Sequence, residues 1–284
     1  MIASTPSLSD DRELSAADFA VVARIAHAHA GIVLHEGKRM LVSSRLAKLV
    51  RQHDCANLRD YVQLISRDAA ARVRAIEALT TNHTKFFRED HHFAHVEKML
   101  RPAISARLQA GDRARLWSAG SSSGEEVYSL AMTLLGTDPA AGQRMAAGNL
   151  ALLATDINAQ MIAVGKTGQY SVDDAGTIPP SYARLWIDTD GARVTMRSEL
   201  RRLVRFRQLN LMLEWPMTGQ FDAIFCRNTM IYFDAPTNER LQCRLAHQLK
   251  PGGYLYIGHS ERLLGNAASL LRPVGQTIFR KVGT

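Results

Sequence analysis

The sequence predicts an α/β protein: a doubly wound, mostly parallel sheet preceded by an all-helical domain and interrupted by a small antiparallel β-subdomain. Three observations carry this. Residues 15–80 hold apolar side chains at helical spacing throughout. From about Arg113 short apolar runs alternate with helical stretches, the pattern of parallel βαβ units. Between Tyr170 and Asn210 that alternation fails.

In the first third, Ser15 followed by Asp18 forms a capping signal, and Phe19, Val22 and Ile25 recur behind it. A second helix is expected from about Lys38 to Val50, with Met40, Leu41 and Leu49 as apolar positions. Asn57 caps a third carrying Tyr61, Leu64 and Ile65, and Asp68 a fourth carrying Val73, Ile76 and Leu79. Four short helices make a small bundle. Residues 1–13 are expected as a flexible tail, 14–88 as the bundle, 89–112 as a linker, and 113–284 as the α/β domain.

In the α/β domain, ARLWSA, LALLATD, VRFRQLN, FDAIFC and GYLYIG are strand-like, while EEVYSLAMTLL, NAQMIAVGKTG and NERLQCRLAHQL are helix-like. Pro179-Pro180 and the segment around Asp190-Gly191 mark an inserted β-subdomain over about 172–206. The tail LLRPVGQTIFRKV suits a terminal hairpin.

Composition narrows the function classes. A chain with 46% hydrophobic and 22% charged residues is an ordinary globular sequence. No apolar run approaches the roughly 18–20 residues of a membrane span. The N-terminus lacks a signal-peptide pattern. Cys55, Cys226 and Cys243 are scattered, so neither disulfides nor a C-x-x-C metal site is expected, and a reducing cytoplasm is. The net charge of +8 concentrates in residues 38–74. That basic module suits an acidic partner, protein or nucleic acid, or is a solvated surface.

The chemistry centres on Gly120-Ser121-Ser122-Ser123-Gly124, which follows a strand and opens a helix. Read as G-x-S-x-G, it presents Ser122 as a nucleophile with Asp222 or Asp234 and His259. Glu125 and Glu126 oppose that reading, because carboxylates at the helix start repel an oxyanion. Read as a cofactor turn, Gly120 and Gly124 allow close backbone approach, and the carboxylates favour a cationic ligand over a pyrophosphate. Asp156, ending the next strand, can accept both ribose hydroxyls or cap the following helix. A ribose with a cationic group suggests S-adenosyl-L-methionine. His91, His92 and His95 include an i, i+4 pair but lack an H-E-x-x-H arrangement, so no metal site is expected.

Five blocks in order then resemble the chemotaxis receptor methyltransferases called CheR: TTNHTKFFRED (80–90), WSAGSSSGEEVYSLA (117–131), ATDINAQMIAVGKTGQY (154–170), FDAIFCRNTMIYFD (221–234) and LKPGGYLYIGHSE (249–261). The resemblance implies a Rossmann-like methyltransferase domain with an inserted β-subdomain and an N-terminal helical domain. It implies methyl transfer from S-adenosyl-L-methionine to glutamates on the cytoplasmic helices of chemoreceptors, with S-adenosyl-L-homocysteine released. By resemblance, Asn82, Thr84, Arg88, Gly120, Glu126, Asp156, Asn210, Leu211, Arg227 and Asn228 form the cofactor site. Arg88 and Tyr232 match positions near the transferred methyl and are assigned to positioning. Lys38, Arg45 and Lys48 give a face that could steer acidic receptor helices. The protein is expected to be a cytoplasmic monomer without nucleic-acid or direct membrane binding. Ser121, Ser123 and Val127 stand where the family commonly has Cys, Thr and Pro, and the loop at Asp190-Gly191 is compact. Two alternatives stay open: a non-catalytic protein that binds the cofactor or its product as a signal, and a serine hydrolase using Ser122.

Overall fold

The computed structural model describes residues 13–283. The chain divides into two compact units, one comprising Met1–Thr81 with Tyr232–Asp234, the other Asn82–Ile231 with Ala235–Thr284. The tail expected over residues 1–13 lies, through residue 12, outside the described residues.

The first unit holds α1 (Ala16–Ala30), α2 (Arg39–Gln52), α3 (Leu58–Arg67) and α4 (Ala69–Leu79). The caps are those the sequence signals: the Ser15 hydroxyl accepts from Asp18 N, Asn57 from Asp60 N and Asp68 from Ala71 N. Gly31, at φ 70°, ends α1 in the left-handed conformation glycine tolerates. Phe19, Val22, Val42, Leu46, Tyr61 and Ile65 fill the core. Met40, Leu41 and Val73, expected among the apolar positions, point outward instead. Residues 232–234 join this unit through main-chain bonds, with Val33 N donating to Tyr232 O, and through the His27 ring 2.7 Å from Asp234.

The second unit starts with α5 (Asp90–His95), a π-helical turn at Val96–Leu100 and α6 (Arg101–Gln109). This corrects the expected linker over 89–112. Phe93, Val96, Leu100 and Ile104 recur every three or four residues and are buried in the core cluster of the sheet unit. The alternating region then runs β1 (Ala114–Ala119), α7 (Glu125–Leu135), α8 (Pro139–Ala147), β2 (Leu150–Asp156) and α9 (Ala159–Thr167). It continues with β3 (Gln169–Ser171), α10 (Val172–Ala175), α11 (Pro180–Trp186), β4 (Ile187–Asp190), β5 (Arg193–Met196), α12 (Ser198–Leu203) and β6 (Val204–Gln208). The last elements are β7 (Phe221–Cys226), α13 (Ala235–Gln248), β8 (Leu249–Ile257), α14 (Ala267–Leu270), β9 (Leu271–Gly275) and β10 (Ile278–Lys281).

The main sheet has the order β6-β2-β1-β7-β8-β10-β9. Strands β6 through β8 pair in parallel, and the terminal hairpin β9–β10 adds antiparallel to β8. A separate antiparallel sheet, β3-β5-β4, forms the subdomain. The insertion expected over 172–206 is therefore displaced. Strand β3 begins it, and Val204–Gln208 pairs with β2 in the main sheet, Val204 beside Leu152. Chain order reverses around β1, which lies between β2 and β7. In open α/β sheets that reversal opens a crevice at the carboxyl ends of the strands. Among the described residues, no helix is long and apolar enough to cross a membrane.

Candidate functional site

Six of the sequence-expected residues of the sheet unit lie at this carboxyl edge. Gly120 follows β1, Asp156 ends β2, Asn210 and Leu211 follow β6, and Arg227 and Asn228 follow β7. The turn after β1 is drawn against β2: Gly120 N and Ser121 N both donate to Thr155 O at 2.8 Å. Gly120 has φ 82°, and a Cβ there would collide with the Thr229 hydroxyl, so the residue must be glycine.

Ser122 itself adopts φ 48°. Its amide donates to Asp156 Oδ2 at 2.8 Å, and its hydroxyl donates to the Asn82 carbonyl at 2.9 Å. The other members of the hydrolase reading are committed elsewhere. Asp222 pairs with Arg107 and Lys250, Asp234 belongs to the helical unit, and the His259 ring bonds Glu89 at 3.0 Å. The serine is a turn residue, which removes the nucleophile reading.

Asp156 is 8% exposed. Its Oδ1 accepts from Asn158 N at 2.9 Å, and its Oδ2 from Ser122 N. Burial raises its pKa, while these amides oppose the rise. Two carboxylate oxygens offer about four lone-pair directions. Beyond the amides they hold, these oxygens keep acceptor capacity, which the donating hydroxyls of a vicinal diol can use.

Glu126, in the first turn of α7, accepts from the Ser118 hydroxyl at 2.7 Å and from Arg227 at 3.1 Å. Burial raises its pKa and Arg227 pulls it back. The Arg227 side chain, 2% exposed, lies 3.4 Å from Glu89 Oε2, donates to the Arg88 carbonyl and sits over the Phe93 ring. Burial acts to raise the Glu89 pKa, but Arg227 and His259 outweigh it and take the carboxyl down to about 2. Arg227 thus bridges two carboxyl groups beside the glycine turn.

Two acids of this network carry no role in the sequence reading, although both lie in the quoted blocks. Glu89, at φ 58°, takes bonds from the His259 ring and from Asn228 at 3.4 Å. Glu261 accepts from Met230 N at 2.8 Å and Gly258 N at 2.5 Å, fastening the loop after β7 to the end of β8. Donors from elsewhere in the chain, His259 and Asn228 for Glu89 and Met230 N for Glu261, reveal them. The Arg88 guanidinium donates to the His83 carbonyl at 3.3 Å. Asn82 and Thr84 line a neighbouring cleft of about 890 Å³ with Ser123, Glu125, Met161 and Tyr170, and neither Asp156 nor Glu126 lines it. Tyr232, Lys38, Arg45 and Lys48 belong to the helical unit. The first of these ends the 3₁₀ turn Met230–Tyr232.

Glu89, His91 and His92 bring one potential ligand atom each within 4.8 Å. The Thr277 hydroxyl donates to Gln276 O and so takes the His92 Nε2 proton at 2.9 Å. Burial lowers the His92 pKa to about 3, keeping it neutral. Arg227, 3.4 Å from Glu89 Oε2, already offers that carboxylate a positive charge.

The family models match almost end to end. The "CheR methyltransferase, all-alpha domain" covers residues 17–80, and the "CheR methyltransferase, SAM binding domain" covers residues 82–279. The chain belongs to the CheR methyltransferase family. A "Probable chemotaxis protein methyltransferase" of Rhizobium etli is 40% identical over 260 residues, 89% of this chain and 96% of that one. The "Chemotaxis protein methyltransferase" of Klebsiella aerogenes is 40% identical over 276 residues, 94% of this chain and 90% of that one. As a CheR methyltransferase the protein is an S-adenosyl-L-methionine-dependent enzyme of chemotaxis, with a Rossmann-like domain behind its all-helical one. Amide-locked Asp156 offers acceptors that a ribose diol can use, so this part of the site fits that cofactor.

Proposed function

We propose that this enzyme forms methyl esters on glutamate side chains of the cytoplasmic helices of chemoreceptors and releases S-adenosyl-L-homocysteine. The observation that carries the reading is Asp156 at the carboxyl edge, oriented by the Ser122 and Asn158 amides with acceptor capacity left for a ribose. The cofactor supplies a methyl group on a sulfonium, so the new C–O bond forms as the S–CH3 bond breaks. A substrate glutamate with pKa near about 4.3 is ionised at neutral pH, so the enzyme needs no strong base. Its task is to align the reactants and exclude water, an effect worth roughly 7–11 kcal/mol.

Asn82, Thr84, Gly120, Glu126, Asp156, Asn210, Leu211, Arg227 and Asn228 hold the cofactor in this reading. Arg88 and Tyr232 position the attacking carboxylate without moving a proton, since a cation bound too tightly to it would stabilise the ground state as well. Lys38 and Lys48 steer the receptor helix. The protein acts as a cytoplasmic monomer on a protein partner, not on nucleic acid or within the bilayer.

Calorimetry with S-adenosyl-L-homocysteine, followed by transfer of labelled methyl to receptor fragments, tests this reading. Base-labile label on glutamate is expected, with Arg88→Ala transferring slowly. Tight product binding with no label on any receptor fragment would replace the enzyme by a cofactor-sensing protein.

A further inference from the structure

Between the end of β6 at Gln208 and the start of β7 at Phe221 the chain contains neither helix nor strand. Such a stretch presents main-chain carbonyls that no regular ladder satisfies. Its apolar side chains do not anchor all of it either, since Leu213 is 62% exposed. Helix α13 supplies the missing donors. Arg244 donates Nη1 to Leu211 O at 2.7 Å and Nη2 to Leu213 O at 2.5 Å. One helical turn later, Gln248 Nε2 donates to Gly219 O at 2.6 Å.

The guanidinium also lies 4.0 Å from the ring centroid of Trp215, whose indole N–H donates to the same Leu211 carbonyl at 3.3 Å. Trp215 in turn stands edge-on to Trp117 of β1, with centroids 4.9 Å apart. A planar fork stacked on one face and bonded along its edge is a task lysine cannot reproduce. Within the loop, Asn210 Oδ1 accepts from Met212 N at 2.9 Å. Arg244 therefore grips Leu211 inside that small turn and Leu213 just beyond it.

We propose that Arg244 is a positioning residue for the adenosyl half of the cofactor, holding residues 209–220 in the shape that presents Asn210 and Leu211. The proposal rests on the reading that these two residues flank the adenine. Without the fork, the loop samples other shapes, and cofactor binding must first select the competent one.

The test compares S-adenosyl-L-homocysteine with methylthioadenosine, which keeps the adenosyl group and lacks the amino acid. In Arg244→Ala both ligands are expected to bind about tenfold more weakly and by the same factor, the loss from two charge-assisted bonds that shape a loop. KM for the cofactor rises in parallel, while kcat at saturating cofactor stays within about twofold. Arg244→Lys is expected to lose about threefold, and it carries the same comparison should the alanine variant fail to fold. Unchanged affinity in a folded variant overturns the proposal, as does weaker homocysteine-ligand binding with methylthioadenosine unaffected. Asn210→Ala separates this from the underlying reading. If it weakens methylthioadenosine while Arg244→Ala does not, only the Arg244 role falls. If Asn210→Ala leaves methylthioadenosine binding intact, the adenine assignment itself falls.

Discussion

Arg227 meets Glu126 at 3.1 Å inside the sheet unit, with the arginine side chain 2% exposed and the glutamate 12%. The pair is not isolated, because the same guanidinium lies 3.4 Å from Glu89. Removing the cation would strand two buried carboxylates, a change that typically costs about 3–5 kcal/mol. Arg227→Met is therefore expected to lower the urea midpoint sharply and to weaken S-adenosyl-L-homocysteine binding. An equilibrium unfolding curve superimposable on wild type would contradict the network.

Glu89 gives the acid side of the stability profile its sign. Burial would raise its pKa, but Arg227 and His259 prevail and take it down to about 2. A carboxyl depressed in the folded state contributes stability above its unfolded value and loses it as pH falls toward the folded one. Wild type should thus lose stability between about pH 5 and pH 2 more steeply than Glu89→Gln. Glu126, raised by burial, acts in the opposite direction, as its deprotonation costs stability when pH rises past the ordinary carboxylate range. Urea midpoints measured across that acid range decide the matter, and parallel curves for the two proteins would remove Glu89 from the account.

Asp156 receives backbone donors on both oxygens, from Ser122 N and Asn158 N. In Asp156→Asn one of those amides must face an NH2 group, leaving two donors opposed. The substitution also removes one of the acceptors assigned to the ribose. Calorimetry should show S-adenosyl-L-homocysteine and methylthioadenosine both weakened by about tenfold or more, the cost of unpaired polar groups in a buried site. Loss confined to the homocysteine ligand would move Asp156 to the amino-acid end.

The parts of this architecture that local rules determine could be read directly. Ser15, Asn57 and Asp68 cap helices because each needs only an amide three residues on. The glycine turn and Asp156 follow from strand–turn–helix grammar. The helices within residues 89–112 are not legible locally, because the periodicity of Phe93, Val96, Leu100 and Ile104 gains meaning only against a sheet that covers it. Glu89 and Glu261 were missed for a different reason. A buried acid is recognised by its donors, and here the His259 ring and Met230 N reach Glu89 and Glu261 from elsewhere in the chain. Arg45 shows the same limit: a charge counted toward a surface face turned out to bond main-chain carbonyls.

Ser122 separates a turn residue from a nucleophile. Its hydroxyl only donates to the Asn82 carbonyl. Ser122→Ala should keep methyl transfer within a few-fold of wild type, and a fluorophosphonate should label neither protein. Gly120→Ala is the contrasting change, because φ 82° and the collision with Thr229 both oppose a side chain. It should abolish cofactor binding or folding, and Thr229→Ala should restore only part of the loss, since the backbone strain remains. Covalent labelling at Ser122 would reinstate the hydrolase.

Charge steering can be distinguished from structural support within residues 38–48. Lys38 and Lys48 are exposed, whereas Arg45 is half-buried and donates to Leu79 O at 2.6 Å, Thr80 O at 3.1 Å and Thr81 Oγ1 at 2.9 Å. Those bonds cap the carboxyl end of α4, where a cation is favoured by the helix dipole. Arg45→Ala should consequently cost about 1–2 kcal/mol of stability, which a thermal melt will register. Lys38→Glu with Lys48→Glu should leave the melt unchanged. Instead it should reduce kcat/KM for receptor fragments at low salt, with the deficit shrinking at high ionic strength as the charges are screened. A deficit equal at both salt concentrations would point to lost contact, and no deficit at low salt would end the steering role.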